Sequence, residues 1–311
     1  MALADDRDVA GHVPVLPDAV TRLLAVKPGD VVVDATVGLG GHARLLGAAA
    51  GPEGTLLGLD VDPANLALAE ARLADLPCRV LLRQANFAAL RDVLAEVGLA
   101  GADVILADLG VSSTQLDQAE RGFSFRLDGP LDMRMDPGLS RTAGDIVNRL
   151  RERELADVFY YNAQETAARR IARAICEARR EARITTTARL AQVVCEAVGI
   201  NPDSRKEKIH PATKTFLALR MEVNNEPGAL TALLDAAPSV LRPGGRFGVI
   251  AFHSVEDKAA KLDFRRRKNE GVYDMITGKP VSAEPEERER NPRSRSAKFR
   301  VVMRLGPSEL G

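Results

Sequence analysis

A glycine-rich loop in the first quarter of the chain has the composition of a nucleotide-binding turn. It follows a short β-branched run that ends at Asp34, and its key residues are Gly38, Gly40, Gly41 and His42. Glycines let a backbone turn tightly between a strand and a helix and approach a ligand closely. Asp60 ends the next apolar run, where a carboxylate can accept hydrogen bonds from both hydroxyls of a ribose. These residues predict a site for a nucleoside-containing cofactor.

The loop alone does not choose the cofactor, because Gly38, Gly40 and Ala43 fit the Gly-x-Gly-x-x-Gly/Ala pattern of NAD-binding proteins. Asp34 favours S-adenosylmethionine. An acid at the end of the first strand suits a cationic methionyl group and would repel a pyrophosphate. Because the glycine pattern also fits NAD, an NAD-dependent oxidoreductase remains the first alternative.

Polar side chains also follow three other predicted strands. Asn86 and Phe87 come after the third strand, where they could receive the edge and face of an adenine ring. Asp108 ends the fourth strand, and His253 and Ser254 follow a strand late in the chain. The carboxyl ends of parallel strands form the ligand crevice of such sheets, so Asp108 is well placed to face a transferred group.

The order of elements predicts one α/β domain interrupted by helices. Short apolar strands alternate with helices as far as Ala107, which is typical of a mainly parallel, Rossmann-like sheet buried on both faces. From Gln118 to Lys208 the pattern predicts helices and no strand, and the α/β alternation then resumes. We therefore predict a first part of the α/β domain at residues 1–117, an inserted all-helical domain at 118–208, and a second part at 209–311.

The formal net charge of zero conceals basic segments that could face phosphates. A predicted amphipathic helix at residues 166–180 places five arginines on its outer faces: Arg169, Arg170, Arg173, Arg179 and Arg180. Residues 258–268 contain six bases and one acid, and residues 286–304 contain seven bases and three acids. Such runs are equally typical of an ordinary solvated surface.

The composition excludes several classes of protein. The chain has 45% apolar and 28% charged residues and contains no apolar run of the roughly 18 residues that a membrane span needs. The acidic N-terminus lacks the features of a secretory signal. Cys78, Cys176 and Cys195 are odd in number and lack metal-type spacing, so we expect no disulfide framework, no metal site and a cytoplasmic location.

Seven further motifs are distributed along the chain. They are Gly40-Gly41-His42, Asp108-Leu109-Gly110-Val111-Ser112-Ser113, Arg121-Gly122-Phe123-Ser124-Phe125, Gly129-Pro130-Leu131-Asp132-Met133-Arg134-Met135, His210-Pro211-Ala212-Thr213, Phe252-His253-Ser254 and Asn291-Pro292-Arg293-Ser294-Arg295-Ser296. Several of them are long and rare, notably the fourth, which ends in Met-Arg-Met. Together they resemble the RsmH (MraW) family of bacterial methyltransferases for small-subunit ribosomal RNA, and the resemblance runs from about His12 to Leu305.

The resemblance implies a class I S-adenosylmethionine-dependent methyltransferase fold and N4-methylation of a cytidine in the decoding region of 16S rRNA, on the 30S subunit or a late precursor. It implies cofactor contacts from Gly40, Gly41, His42, Asp60, Phe87, Asp108 and Gln115. For catalysis, Asp108 is the first candidate to accept a hydrogen bond from the cytosine amine. His253 and Ser254 are candidates to orient the base or to remove its proton.

Two departures from the family pattern concern different parts of the chain. Thr114 replaces the proline usual before Gln115, and residues 162–165 read Asn-Ala-Gln-Glu where the family commonly has Tyr-Gly-Glu-Glu. The second departure lies in the predicted helical insertion and bears on RNA contacts more than on the cofactor. A nucleic-acid-binding protein without catalysis is the second alternative, although intact Gly40, Asp60 and Asp108 argue against it.

Overall fold

The computed structural model describes residues 13–200 and 210–306. His12, where the family resemblance begins, lies outside this part of the chain. So does the predicted domain boundary between residues 208 and 209.

Within these residues one sheet of seven strands has the order β3-β2-β1-β4-β5-β7-β6. The strands are β1 (Val31–Asp34), β2 (Thr55–Asp60), β3 (Arg79–Gln84), β4 (Ala102–Asp108), β5 (Leu241–Ala251), β6 (Tyr273–Met275) and β7 (Lys298–Arg304). The first five in chain order are joined by parallel pairings, and β7 runs antiparallel to both β5 and β6. The mainly parallel sheet predicted from the sequence is confirmed.

Helices accompany the strands in the predicted alternation. In chain order they are α1 (Pro17–Leu24), α2 (Gly41–Ala50), α3 (Pro63–Leu73), α4 (Leu90–Glu96), α5 (Ser113–Asp117), α6 (Ala143–Arg149), α7 (Glu152–Ala163), α8 (Ala168–Glu181), α9 (Thr187–Val198), α10 (Thr213–Val223), α11 (Glu226–Val240), α12 (Ser254–Asn269) and α13 (Pro285–Arg290). Short 3₁₀ turns occur at Phe87–Ala89, Ala119–Arg121 and Pro292–Ser296.

Two cores hold the sheet, one on each face. Successive strand residues point to opposite faces, so Val32 and Val104 pack with α1, α2 and α3. Their neighbours Val33 and Ile105 pack with α4, α11 and α12. Because both faces of the central strands are covered, the middle of each strand is apolar, and its polar residues occur near the strand ends.

The C-terminal part of the sheet differs from the prediction in its details. The sequence predicts a turn at residues 242–245 followed by a strand from Phe247, but β5 begins at Leu241. Its pairing with β4 shifts in register between Ala102 and Val104, so the predicted turn is a bulge within the strand. Gly244, with φ 79°, provides the left-handed residue of this bulge.

The chain forms two compact units. The first comprises residues 1–110 and 228–311, and the second comprises Val111–Pro227. The described regular elements of the second unit are helices, with one isolated bridge between Pro130 and Thr186. The second unit extends beyond the range 118–208 given by the sequence pattern, at both ends.

The amphipathic pattern predicted for the helix at residues 166–180 is confirmed in α8, with one exception. Ala168, Ile171, Ala172 and Ile175 are buried, while Arg169, Arg170, Arg173 and Arg180 are exposed. The prediction for Arg179 is wrong. This side chain is half-buried, and its Nη1 donates a 2.6 Å hydrogen bond to the carbonyl of Val147.

The rare Met-Arg-Met motif forms a compact loop in the second unit. Met133 adopts a left-handed conformation with φ 65°. Asn224 holds the loop, because its amide donates to the Met133 carbonyl at 2.8 Å and accepts from the Met135 N–H at 2.7 Å. Arg134 pairs with Asp132 at 2.7 Å. These contacts give the motif a structural role.

No helix in the two described stretches of chain is long and apolar enough to cross a membrane.

Candidate active site at the carboxyl ends of three strands

Three carboxylates lie at the carboxyl ends of three neighbouring strands. Asp34 ends β1, Asp60 ends β2 and Asp108 ends β4. Since β1 lies between β2 and β4, the sheet places Asp34 between Asp60 and Asp108, which are 26 and 74 positions further along the sequence. This is the edge at which the sequence analysis predicts the cofactor site.

The glycine loop between β1 and α2 is held by its backbone and by its neighbours. Gly38 and Gly40 have φ values of 49° and 80°, which a residue with a side chain rarely adopts. A Cβ atom at Gly40 would also meet Leu73 at 3.4 Å, so the loop packs closely on α3. On the other side, a Cβ at Gly41 would meet Pro14 at 3.3 Å. The predicted tight turn is present.

Asp60 is bound to this loop more extensively than the sequence suggests. Its Oδ2 accepts hydrogen bonds from the Gly38 N–H at 3.0 Å and from Asn65 Nδ2 at 3.2 Å, and its Oδ1 accepts from the Asp62 N–H at 2.8 Å. A carboxylate has about four acceptor positions. Three are used here, so Asp60 has about one left for a ribose hydroxyl. Burial raises the pKa of Asp60 to about 6, against the lowering effect of these donors.

Asp34 is almost completely buried, with 1% of its surface exposed. Its Oδ1 accepts from the Thr36 N–H at 3.2 Å, and Thr36 Oγ1 accepts from the Asp108 N–H at 2.7 Å. Thr36, which the sequence analysis did not single out, thus connects the ends of β1 and β4. Burial raises the pKa of Asp34 to about 6, and the nearby His42 opposes this rise.

His42 lies in the first turn of α2 and faces Asp108. Its Nε2 is 3.5 Å from Asp108 Oδ2, and 6% of the side chain is exposed. Burial is the largest influence on the His42 imidazole and would lower its pKa, but Asp108, Asp34 and Glu287 together raise the pKa above its ordinary value. Within the described residues, both ring nitrogens of His42 and Asp108 Oδ1 are buried atoms without a hydrogen-bond partner.

His253 and Ser254 follow β5, which is the neighbour of β4 in the sheet. His253 precedes α12, and its Nε2 is 3.0 Å from Glu256 Oε1. Glu256 Oε2 also accepts from the Phe252 N–H at 3.0 Å. The sequence analysis missed Glu256, although an acid at the third position of a helix is a known signal for a contact back to the helix start. Ser254 is exposed.

Asn86 and Phe87 occupy a short turn after β3. Asn86 Oδ1 accepts from the Ala88 N–H at 2.9 Å, so this oxygen caps the turn. Phe87 is half-buried and packs beside the core that contains α4. The predicted role of Phe87 toward an adenine face stays a prediction.

Gln115 lies in the second unit, unlike the other predicted cofactor residues. It forms a capping box at the start of α5, in which its Oε1 accepts from the Ser112 N–H at 3.0 Å. Thr114, at the position where the family has proline, lies with its hydroxyl 2.9 Å from Ser112 Oγ. The cofactor contact that the resemblance implies for Gln115 stays a prediction.

The second unit also carries an exposed surface with basic and aromatic side chains. Arg173 lies 3.7 Å from Glu152, so the exposed face of α8 adjoins α7. Tyr160 and Tyr161, which the sequence analysis did not single out, are 57% and 70% exposed near the end of α7. We call Tyr160, Tyr161, Arg169, Arg170 and Arg173 the α7–α8 surface.

The departure at residues 162–165 lies at the turn between α7 and α8. Asn162 Nδ2 donates to the Ala218 carbonyl at 3.2 Å, and the buried Glu165 accepts from the Ala167 N–H at 2.8 Å. Gln164 adopts a left-handed conformation with φ 52°. These contacts show the segment packing within its own unit.

The basic segment at residues 258–268 is partly neutralised by nearby acids. Arg266 and Arg267 lie 2.6 and 3.0 Å from Asp263, and both also pair with Asp235 of α11. Lys268 is 3.9 Å from Asp274. Half of the six bases therefore have acidic partners.

Among the described residues, no group of three or more histidines, cysteines and acids is arranged to hold a metal ion.

Comparison of the chain with known proteins identifies its family. The model of the MraW methylase family matches residues 9–305. The ribosomal RNA small subunit methyltransferase H of Acidobacterium capsulatum is 47% identical over 299 residues, which cover 94% of this chain and 97% of that protein. The protein of the same name from Koribacter versatilis is 47% identical over 301 residues, with 94% of each chain covered.

Among solved structures, an rRNA methylase from Streptococcus thermophilus has a TM-score of 0.45 and 11% identity, with 94% of this chain and 98% of that chain covered. The match of the family model over most of the chain, together with relatives at 47% identity, decides the assignment. The chain belongs to the MraW methylase family, and its mainly parallel sheet with flanking helices is a class I methyltransferase fold.

Proposed function

We propose that the protein transfers a methyl group from S-adenosylmethionine to the N4 amine of a cytidine in the decoding region of 16S rRNA. The proposed substrate is the 30S subunit or its late precursor, in the cytoplasm. The observation that carries the proposal is the row of Asp34, Asp60 and Asp108 beside the glycine loop, in a chain 47% identical to proteins named ribosomal RNA small subunit methyltransferase H.

The residues at the carboxyl ends of β1, β2 and β4 are of the types that binding of S-adenosylmethionine requires. The loop through Gly38, Gly40 and Gly41 permits close approach, and Asp60 has an acceptor position for a ribose hydroxyl. Asp34 supplies a buried carboxylate that a cationic methionyl group would favour in its ionised form. When bound, S-adenosylmethionine supplies an electrophilic methyl carbon on a sulfonium.

The chemical difficulty lies with the acceptor amine, because the lone pair of the cytosine N4 atom is delocalised into the ring. A fixed acceptor that takes a hydrogen bond from the amine favours a pyramidal nitrogen and aligns it for attack. Asp108 Oδ1 is buried and has no hydrogen-bond partner among the residues that the structure describes. We therefore assign the acceptor role to Asp108.

His253 and Ser254 keep a second role in the proposal. Both follow β5, and Asp108 is in register with Ile250 of that strand. Since Glu256 contacts His253, the imidazole has a fixed position from which it could orient the base. Ser254 is exposed and could donate to the base from the start of α12.

The second unit is the proposed RNA-binding part. Exposed arginines attract phosphates, and exposed aromatic rings stack on unpaired bases. The α7–α8 surface offers both kinds of side chain. A folded ribosomal particle that presents unpaired bases is a better match to such a surface than a short duplex.

The decisive experiment is transfer of a tritiated methyl group to 30S particles, followed by digestion and identification of the labelled nucleoside. We expect N4-methylcytidine from a single site in the decoding region. Label in another nucleoside, or in another region of the rRNA, would contradict the proposal. Co-purified NAD, identified by mass, together with no methyl transfer would favour the oxidoreductase.

Replacing Asp60 by alanine is expected to weaken S-adenosylmethionine binding by about 1.5–3 kcal/mol, the usual loss for a hydrogen bond to a charged group. The change removes the ribose acceptor and also frees the Gly38 N–H that fixes the loop. Calorimetric titration of the folded variant measures the effect. Asp62→Ala is the matched control, because Asp62 caps α3 nearby through its Oδ1. An unchanged affinity in the Asp60 variant would remove Asp60 from the cofactor site.

The affinity for S-adenosylmethionine is expected to rise with pH by up to about tenfold per unit as the solution passes from about pH 5 to pH 6. The pKa of Asp34 in the free protein is about 6, and a bound cation favours the ionised carboxylate, so binding releases a proton in this range. Calorimetry in two buffers of different ionisation enthalpy counts the released protons. Asp34→Asn should lose the dependence that Asp34 contributes. A pyrophosphate-containing cofactor would show the opposite trend, because an anion favours the protonated acid.

A further inference from the structure

His42 is a buried histidine that the proposed reaction does not yet use. It projects from the first turn of α2 toward the ends of β1 and β4. The ionisable groups that face it are Asp108 on β4, Asp34 on β1 and Glu287 on α13, and all three are acids. Asp60 on β2 contributes to raising the pKa of Asp34. The imidazole is thus surrounded by negative charge from three elements.

The contact with Asp108 divides the two oxygens of that carboxylate. Oδ2 is 3.5 Å from His42 Nε2, whereas Oδ1 is buried; within the described chain neither Oδ1 nor Nε2 has a hydrogen-bond partner. The Asp108 N–H is fixed separately, by its 2.7 Å hydrogen bond to Thr36 Oγ1. Thr36 thus fixes the backbone of Asp108, and His42 is the basic side chain that faces its carboxylate.

We propose that His42 is a positioning residue, which faces the Asp108 carboxylate at the end of β4 and holds it in place to accept a hydrogen bond from the amine of the substrate. The inference rests on the proposed methyl transfer, and it adds a function for the imidazole that is independent of any cofactor contact by the Gly-Gly-His backbone. His42 itself keeps its proton throughout the reaction.

The proton balance of the step is simple. The nitrogen lone pair forms the bond to the methyl carbon, and the electron pair of the breaking carbon–sulfur bond stays on sulfur. The positive charge then lies on the nitrogen, which loses one proton to the Asp108 carboxylate. Asp108 is 23% exposed, so this proton can pass on to water.

Histidine NMR tests the pairing without any need for activity. The imidazole signals of His12, His42, His210 and His253 are titrated, and His42 is assigned by its absence in His42→Gln. We expect the pKa of His42 to lie above its ordinary value, because Asp108, Asp34 and Glu287 together outweigh the effect of burial. In Asp108→Asn the pKa of His42 should fall. An unchanged titration in this variant would overturn the proposal.

Asp75→Asn is the matched control for the NMR experiment. Asp75 pairs with Arg44, two residues beyond His42 on α2, and is mostly exposed. The control removes the carboxylate that pairs with Arg44 on the same helix as His42, and it should leave the pKa of His42 unchanged. An equal fall in both variants would show a general charge effect and would contradict the specific pairing.

The second readout is the pH dependence of methyl transfer. His42→Gln retains a hydrogen-bond donor but carries no charge, so kcat should fall by about tenfold, the lower range for partners that orient a functional group at metal sites. The KM for the 30S particle should stay unchanged. In the wild-type protein, kcat should decline as the pH rises through the pKa of His42 measured by NMR, because the imidazolium is then lost.

His42→Gln should lack this alkaline decline. If the wild-type and variant profiles coincide, His42 only fills space and the proposal is wrong. If His42→Gln does not fold, His42→Asn serves for the assignment, and the titration of His42 in Asp108→Asn decides. If the wild-type protein transfers no methyl group to 30S particles, the proposed function fails, while the NMR result still tells whether His42 and Asp108 are coupled.

Discussion

Replacing Asp108 by asparagine is expected to lower the rate of methyl transfer by about 10²–10³-fold, the scale of losing one fixed electrostatic stabiliser. The substitution keeps the size of the side chain and its place at the end of β4. It removes the negative charge that accepts the amine hydrogen and that holds the surplus proton. Cofactor affinity should change much less, because the proposal assigns the ribose to Asp60 and the cationic group to Asp34.

Single-turnover methyl transfer to 30S particles measures the chemical step, and calorimetry measures cofactor binding separately. Asp103→Asn is a matched control on the same strand. Asp103 lies near the other end of β4, where its Oδ2 accepts from the Val31 N–H at 2.8 Å and pairs with Arg242 at 2.7 Å. This control should leave the rate near that of the wild type. A variant of Asp108 that is defective in cofactor binding alone would assign Asp108 to the cofactor.

The first third of the fold could be predicted closely, because its signals are local. The strands of this region alternate with helices as the sequence predicts, and α2 follows the glycine loop after β1. In this region each strand is short, apolar and followed by a breaker or cap. The same pattern of short apolar strands predicts the strand ends at Asp34, Asp60 and Asp108, so the row of acids could be predicted from the sequence.

The partners of these acids could not be predicted in the same way. The hydrogen bond from the Asp108 N–H to Thr36 spans 72 residues and exists because β1 and β4 are neighbours in the sheet. Likewise, the Gly38 N–H reaches Asp60 across 22 residues. The sequence analysis treated Asp60 as a free carboxylate, whereas most of its acceptor positions are used by the fold itself.

Tertiary pairing also explains what was missed later in the chain. The strand β6 has three residues and is defined by its pairing with β7, so it has no periodicity of its own. The start of β5 at Leu241 depends on pairing with Ala102, which overrides a local Pro-Gly turn signal. In the same way, the basic run at residues 258–268 is balanced partly by Asp235 from another helix, which a charge count along the chain cannot show.

Reversing the charges of Arg169, Arg170 and Arg173 to glutamate is expected to weaken binding to 30S particles by about a hundredfold at about 0.15 M salt, if three phosphate contacts are lost. The dependence of log affinity on log salt should become flatter by about 0.7–0.9 for each lost contact. All three arginines are exposed on α8, and the pairing of Arg173 with Glu152 is an exposed contact of little energetic value. The helix should therefore fold, because its buried face is unchanged.

The matched control reverses Lys258, Lys261 and Arg265 on α12, which changes the net charge by the same amount in the first unit. If binding to phosphates is confined to the α7–α8 surface, the control keeps the affinity and the salt slope of the wild type, and both variants keep their affinity for S-adenosylmethionine. A loss of the same size in both variants would mean that overall charge governs the encounter. If the arginine variant is unaffected and the control loses affinity, α12 is the surface that meets the RNA, and the assignment of RNA binding to α8 is wrong.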